Sequence, residues 1–195
     1  MNTTDTTLEI VETEQPAERG TACAATLQLA SAAARAEVYG VALTTVCDLA
    51  PWQGDPQVAL FAGTPDALQL VAVDKLCADW PLGEVRAAEE WGDSVAEAML
   101  GPAPVFHPAS PVYFRAPGGT SVSALRSELV QPVVLGGRLR GAILIVAAGP
   151  LAHTVRTGVD AVAFELALAL DRLDHLEARQ RRPPHRRTPA FVPLA

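Results

Sequence analysis

The chain has 195 residues, of which 49% are apolar and 19% charged, so it has the content of one folded domain and wholesale disorder is excluded. Its formal net charge of −7 argues against a nucleic-acid-binding surface over the whole chain. No apolar run approaches the roughly eighteen residues that a membrane-spanning helix requires.

Acidic residues near the N-terminus stand where a secretory signal would carry Lys or Arg. Cys23, Cys47 and Cys77 are too few and too scattered for a disulfide framework or a zinc knuckle. We therefore expect a cytoplasmic protein with no membrane partner and no metal.

Charge divides the chain into three parts. Residues 1–18 hold five acids and no base, whereas residues 179–187 hold five arginines and no acid. We therefore predict an acidic flexible tail at 1–20, one folded domain at 21–178 and an Arg/Pro-rich flexible tail at 179–195. A basic run beside prolines is able to contact nucleic acid or an acidic partner, but a solvated tail is the favoured interpretation.

The first predicted elements are a helix and a hairpin. The alanine-rich helix runs over Ala22–Leu49 with apolar residues on one face, and Gly40 makes a kink possible. Two β-type runs follow, Val58–Ala62 and Leu68–Val73, joined by a connection that contains Pro and Asp. Residues 74–92 show no clear pattern.

A short helix, Ser94–Leu100, is predicted next, with Asp93 as its cap and Gly101 at its end. Beyond it we expect a brief strand, Ala103–Phe106, and a long loop over 107–119 that bears aromatic residues and prolines.

The clearest hairpin joins Glu128–Leu135 to Leu139–Val146 through Gly136-Gly137-Arg138, whose glycines supply the positive φ of a tight turn. The second strand is almost wholly apolar, so we place it in the middle of a sheet with both faces covered. Pro132 has no N–H to donate and therefore needs an edge or a bulge.

A long helix is predicted over Thr154–Arg179. Seven apolar residues follow one another at alternating steps of four and three, as in the seam of a coiled coil: Val155, Val159, Val162, Leu166, Ala169, Leu173 and Leu176. Phe164 and Leu168 fall on another side, so the helix has two apolar surfaces, one for a sheet and one for a partner helix.

An apolar seam left in water is unfavourable by about 25 cal/mol per Å². We therefore predict a homodimer through the last helix, with the first helix beside it. The predicted interface consists of Val155, Val159, Val162, Leu166, Leu173 and Leu176. The charges expected to flank it are Asp171, Arg172, Asp174, Glu177 and Arg179. The competing interpretation is that the seam packs wholly on its own sheet.

Strands joined by hairpins rather than helical crossovers predict an α+β fold, in which the N- and C-terminal helices pack on one face of an antiparallel sheet. This order resembles a GAF domain. Glu128–Leu176 carries a "vPv…GGRlrGalil" hairpin that leads into "LALALDRL". Asp93–Phe106 is similar to the family's helix-to-strand element, and Val58–Val73 resembles its opening hairpin. The sequence of these motifs is most similar to that of GAF domains of actinobacteria, and the arginine-rich composition suits that origin.

The resemblance implies a non-catalytic sensory or regulatory domain that binds a small ligand and signals through dimerising end helices to an output domain or protein. The sequence lacks the family's Asn-Lys-Phe-Asp-Glu motif and the cysteine arrangement of its methionine sulfoxide reductases. It therefore names neither a ligand nor a cofactor.

Catalytic signatures are weak throughout the sequence. Adjacent carboxylates such as Glu89 and Glu90 point apart, and the four histidines have no metal-ligand spacing. The sequence also has no G-x-S-x-G elbow to expose a nucleophile. We predict no catalytic residues and no enzyme activity.

A ligand pocket has better support, because clefts for small molecules are typically apolar and aromatic with a few polar groups. Aromatic residues cluster around the least regular stretch of the chain. The predicted pocket residues are Trp80, Trp91, Phe106, His107, Tyr113, Phe114 and Arg115. The alternative is that these aromatics only fill the core beneath loops.

Two rival functions stay open. The first is a dimerisation scaffold that binds no ligand. The second is a thiol-redox enzyme, for which Cys23 and Cys47 would lie about 36 Å apart on one unbroken helix and could meet only across a broken helix or a dimer.

Overall fold

The computed structural model describes residues 26–49, 56–74, 80–115 and 121–181. The predicted tail at 1–20 lies outside the described residues, as do Cys23, Cys77 and the Arg/Pro-rich segment beyond Arg181.

Six strands form one sheet in the order β3-β2-β1-β6-β5-β4, and each neighbouring pair is antiparallel. The strands are β1 (Gln57–Thr64), β2 (Ala67–Val73), β3 (Val85–Arg86), β4 (Val105–Arg115), β5 (Ser121–Leu135) and β6 (Arg138–Ala148). The helices are α1 (Arg35–Cys47), α2 (Ala88–Trp91), α3 (Asp93–Leu100) and α4 (His153–Gln180). The predicted α+β fold with an antiparallel sheet is confirmed.

One face of the sheet is covered by α1 and α4, as the sequence predicts for the N- and C-terminal helices. Ile143 and Ile145 of β6 face this side, together with Val38 of α1 and Val159 and Leu166 of α4. All five side chains are buried, so this layer is the larger part of the hydrophobic core.

The opposite face is covered by the short helices. Ala142 and Leu144 of β6 face this side and pack in one cluster with Val95, Ala98 and Met99 of α3. Because successive residues of β6 alternate between two packed layers, the predicted position of this strand in the middle of the sheet is confirmed.

Both predicted hairpins are present. Thr64 pairs with Ala67, so a two-residue turn joins β1 to β2. Gly136 and Gly137, with φ of 56° and 75°, form the turn between β5 and β6. Gly141 is also required, because a Cβ there would clash with the backbone carbonyl of β1 that faces it.

Pro132 lies at a free edge, as its missing N–H requires. The pairing of β4 with β5 stops at Val105 and Val130, so β4 does not extend beside Pro132. On its other side Pro132 pairs with Ala142 of β6.

The predicted loop over 107–119 is wrong for residues 107–115, which continue β4. The prolines of this stretch, Pro108 and Pro111, are tolerated because β4 is an edge strand. The register of its pairing with β5 also shifts between His107 and Ser110. An irregularity of this kind accommodates a proline, which has no backbone N–H to donate to the neighbouring strand.

The single helix predicted over Ala22–Leu49 is also wrong. A helical segment covers residues 26–31, and the helix is interrupted at residues 32–34. Helix α1 then runs through Gly40 without a second interruption. The Glu37 carboxylate accepts a hydrogen bond from the Ala33 N–H at 2.8 Å, which satisfies a donor at the break.

The helix predicted to follow Asp93 is present, but Asp93 is its first residue rather than its cap. The N-cap is Gly92, whose φ of 139° is unfavourable for other residues, and no side chain caps the helix. Gly101 ends the helix as predicted, and its N–H donates to the carbonyl of Glu97. The last helix begins and ends within a residue of the predicted bounds.

Among the described residues, no helix is both long enough and apolar enough to span a membrane.

Candidate functional site

Among the predicted pocket residues whose side chains the structure describes, Phe106 lies apart from Trp80 and Trp91. Trp80 and Trp91 pack against the core on the α3 face of the sheet. Phe106 packs against the core on the opposite face, because its neighbour Val105 faces α3 and side chains alternate along a strand. His107 is exposed.

Tyr113, Phe114 and Arg115 belong to the last part of β4, where they pair with the start of β5. Their side chains lie outside the described part of the structure.

Trp91 has a well-defined place in the core. Its Nε1–H donates to the Leu68 carbonyl at 3.0 Å. The Phe61 ring lies 5.1 Å from it between centroids, and the Arg86 guanidinium lies 5.0 Å above it. These contacts hold α2 against β1 and β2.

Phe106 connects β4 to the last helix. The guanidinium carbon of Arg156 in α4 lies 4.6 Å from the centroid of the Phe106 ring. The Arg156 Nε is buried and has no hydrogen-bond partner among the described residues, so the ring is an important contact of this cation.

A groove of about 300 Å³ lies beside this contact, between α4 and the free edge of β5. Gln131 at its base is 6% exposed, and its Nε2–H donates to Asp160 Oδ1 at 3.0 Å. Phe164 lies at its rim and is 53% exposed. The lining residues are Pro102, Pro104, Gln131, Pro132, Val134, Asp160, Ala163 and Phe164.

None of these lining residues belongs to the predicted pocket. Two sequence signals pointed toward the groove. Phe164 stands off the apolar seam of the last helix, and Pro132 requires a free strand edge. Sequence alone could not place the two side by side, because their proximity depends on how α4 lies on β5.

A cluster of charged side chains joins the sheet to both end helices. Arg140 at the start of β6 pairs with Asp171 at 2.7 Å and with Asp174, both on α4. Arg35 at the start of α1 pairs with the same Asp174 and, at 3.1 Å, with Glu177. Asp174 therefore accepts from two arginines, one on the sheet and one on the N-terminal helix.

The environment of Asp174 favours its ionised form. Burial by itself would raise the pKa of its carboxyl, but hydrogen bonds from Arg35 and Arg140 outweigh burial and lower the pKa below its usual value. The hydrogen bond with Asp174 raises the pKa of Arg35 despite opposing burial. Burial also raises the pKa of the neighbouring Tyr39.

Arg172 makes a third link between the end helices. Its Nη2 donates to the Ala32 carbonyl and, at 3.5 Å, to the Leu29 carbonyl. These carbonyls lie at the end of the helical segment 26–31. Because the helix stops there, the next turn offers them no backbone N–H. This side chain from α4 thereby stabilises the break that the sequence did not predict.

The charges predicted to flank a dimer seam are therefore mostly used within the chain. Asp171, Asp174 and Glu177 pair with arginines of β6 and α1, and Arg172 binds backbone carbonyls.

The predicted dimer interface also needs correction. Five of its six residues are buried within the single chain: Val155, Val159, Val162, Leu166 and Leu173. They pack on the sheet and on α1, so they present no free surface. Leu176 is the exception at 41% exposed, and Phe164 and Leu168 are exposed on other sides of α4. These five residues are thus covered within the chain, by α1 as well as by the sheet.

Among the residues that the structure describes, no group of three or more His, Cys, Asp or Glu side chains is placed to hold a metal ion. Cys47 is half-buried and packs beside the α1–α4 core.

Solved structures share this fold at low sequence identity. The GAF domain of a phosphoenolpyruvate-protein phosphotransferase from Coxiella burnetii superposes with a TM-score of 0.62 at 16% identity, covering 83% of this chain and 96% of that one. The corresponding Acinetobacter GAF domain gives 0.59 at 11% identity over 85% and 97%. The chromophore-binding domain of an unusual bacteriophytochrome from R. palustris gives 0.59 at 14% identity over 81% of this chain.

The chain spans 62% of the length of that phytochrome domain. No family model matches the sequence, and no curated protein matches it. The structural likeness shows that the chain has the GAF fold, which confirms the predicted resemblance.

Proposed function

We propose that this chain is a non-catalytic sensory or regulatory GAF domain that binds a small ligand and signals through its end helices. The observation that carries the proposal is the double pairing of Asp174, because it ties the β5–β6 hairpin and α1 to one point on α4. A ligand that shifts the sheet would alter the packing of both helices through this point. Such a ligand must bind one packing state more tightly than the other.

The GAF fold supports a sensory role. The R. palustris neighbour is described as a chromophore-binding domain, so this fold is able to hold a small molecule. For this chain we place the ligand on the α3 face, near the half-buried Trp80 and Trp91. That face is separated from the end helices by the sheet, so β6 and Arg140 are the route between them.

The proposed dimer uses a leucine surface formed by exposed leucines of the end helices, and not the buried residues of the seam. Leu168 and Leu176 of α4 and Leu27 of the preceding helical segment are all exposed leucines on the end helices. Apolar side chains of this size are unfavourable in water, and a second copy would cover them. The output is a signalling domain or protein that reads the helix arrangement.

A scaffold without a ligand is the second candidate. The observation that favours it is the anchoring of Trp91 by Phe61, Arg86 and the Leu68 carbonyl, which is the behaviour of a core residue. Both candidates share the leucine surface, so ligand binding separates them.

Thermal-shift measurements with nucleotides, haem and amino acids test the ligand directly. We expect at least one compound class to raise the Tm of the wild type, because binding to the folded state alone stabilises it by mass action. We expect Trp80→Ala to remove that shift. A Tm that no probe raises, in a protein with a single cooperative transition, would favour the scaffold.

A further inference from the structure

The groove beside α4 has an unpartnered aromatic side chain in it. Phe164 lines the groove yet more than half of its surface is exposed. The groove is otherwise formed mainly by prolines and small apolar side chains. Its charged lining residue is Asp160, which accepts from Gln131 through one oxygen. An apolar surface with one acid suits an apolar segment that also carries basic residues.

The chain has a segment that can reach this groove. Helix α4 continues for twenty residues beyond Asp160 to Gln180, which is about 30 Å at a rise of ~1.5 Å per residue. An extended proline-rich chain advances about 3.1 Å per residue. About ten residues that follow the helix, 182–191, therefore suffice to return along α4 to Asp160.

The chemistry of residues 182–195 fits the surface that they can reach. Four prolines favour the extended conformation that docks into aromatic-lined grooves. The apolar residues come about ten residues after the helix, which is the length of chain needed to reach the groove. The prolines are Pro183, Pro184, Pro189 and Pro193, and the apolar residues are Phe191, Val192 and Leu194.

Charge also favours this segment. It carries Arg182, Arg186 and Arg187 and no acid, whereas the whole chain has a net charge of −7, so the rest of the chain is acidic. The N-terminal residues 1–20 are the poorer occupant, because their acids would be repelled by Asp160.

We infer that the groove beside α4 is a docking site for residues 182–195 of the same chain, with Phe191 against Phe164. This contact is independent of the proposed ligand, since Phe164 belongs to α4 and the ligand is placed on the α3 face of the sheet.

Hydrogen–deuterium exchange of the full chain, read by mass spectrometry, tests this docking. In the wild type we expect amides of residues 190–195 to exchange about tenfold more slowly than those of an unstructured chain. Phe164→Ser and Phe191→Ser should each restore fast exchange. Leu82→Ser, which replaces an exposed leucine near the opposite edge of the sheet, should leave the slow exchange unchanged.

Fast exchange of residues 190–195 in the wild type would overturn the inference. Slow exchange that appears only as protein concentration rises would also overturn it, because the groove would then be occupied by a second copy. Phe191→Ser lies outside the described domain, so it tests the contact even where Phe164→Ser alters the fold.

Discussion

Arg140 and Asp174 are separated by 34 residues and form an ion pair that joins the start of β6 to the last third of α4. Arg140 is the more buried partner, and its second amino group pairs with Asp171. Its Nε is buried without a hydrogen-bond partner among the described residues. The β5–β6 turn and the C-terminal helix are thus held in one relative position by a guanidinium with little contact with solvent.

Arg140→Met is expected to destabilise the domain by about 1–3 kcal/mol, because two carboxylates lose their buried partner. Chemical denaturation gives the free energy of unfolding. Arg138→Met is the matched control, since Arg138 lies on the same strand but is exposed. Equal effects of the two substitutions would show that the ion pairs contribute nothing specific.

The stability of the domain should fall in acid in a way that depends on Asp174. Its pKa is lowered in the folded state, so its stabilising contribution is fully present above the usual value of 3.8 and is lost as pH falls through the lower folded-state pKa. Asp174→Asn should flatten the pH dependence of the free energy of unfolding below about pH 4. Asp93→Asn, at the exposed start of α3, is the control for the loss of one carboxylate. An unchanged slope in Asp174→Asn would contradict the assignment.

Two glycine-to-alanine substitutions should have opposite effects. At Gly141 a Cβ would collide with the Phe61 carbonyl between β6 and β1, so Gly141→Ala should destabilise the domain by more than about 2 kcal/mol. At Gly40 a Cβ meets nothing within 4 Å, and alanine favours a helix by about 1 kcal/mol, so Gly40→Ala should stabilise it. Thermal unfolding compares the two. A stable Gly141→Ala would mean that β1 and β6 are not in the observed register.

Leu166→Glu and Leu168→Glu distinguish the two sides of α4. Leu166 is buried, so a charge there should abolish cooperative folding, whereas Leu168 is 40% exposed and should accept it. Circular dichroism reports the fold. Size-exclusion chromatography with light scattering should then show a dimer for the wild type and a smaller dimer fraction for Leu168→Glu. A monomeric wild type would rule out the leucine surface as a dimer interface.

Much of the fold can be predicted from sequence because it depends on local signals. Gly136 and Gly137 specify a tight turn by their φ angles, and the apolar run of β6 predicts burial on both faces. The bounds of α4 follow from its regular apolar spacing. These features depend on residues close together in the chain.

The errors arise where distant residues decide the local structure. The break at 32–34 is stabilised by Arg172, which is 140 residues away from Ala32. Strand β4 tolerates Pro108 because it lies at the sheet edge, a position that no local pattern reveals. The spacing of the seam predicts a partner surface on α4, because spacing shows that a face is apolar but not which surface covers it.

The separation of Phe106 from Trp80 and Trp91 has the same kind of cause. Trp91 and Phe106 are close in sequence, but alternation along β4 sends Phe106 to the other face of the sheet. The groove at Asp160 and Phe164 arises from the packing of α4 on β5, and the sequence carries only indirect signs of it.

We propose that a ligand on the α3 face alters the end helices through Arg140 and Asp174. Hydrogen–deuterium exchange of α4, measured with and without the compound that raises Tm most, tests it most directly. We predict a change in exchange over residues 170–180 in the wild type that disappears in Arg140→Met while the compound still binds. No change in α4 on binding, or the same change in both proteins, would contradict the account.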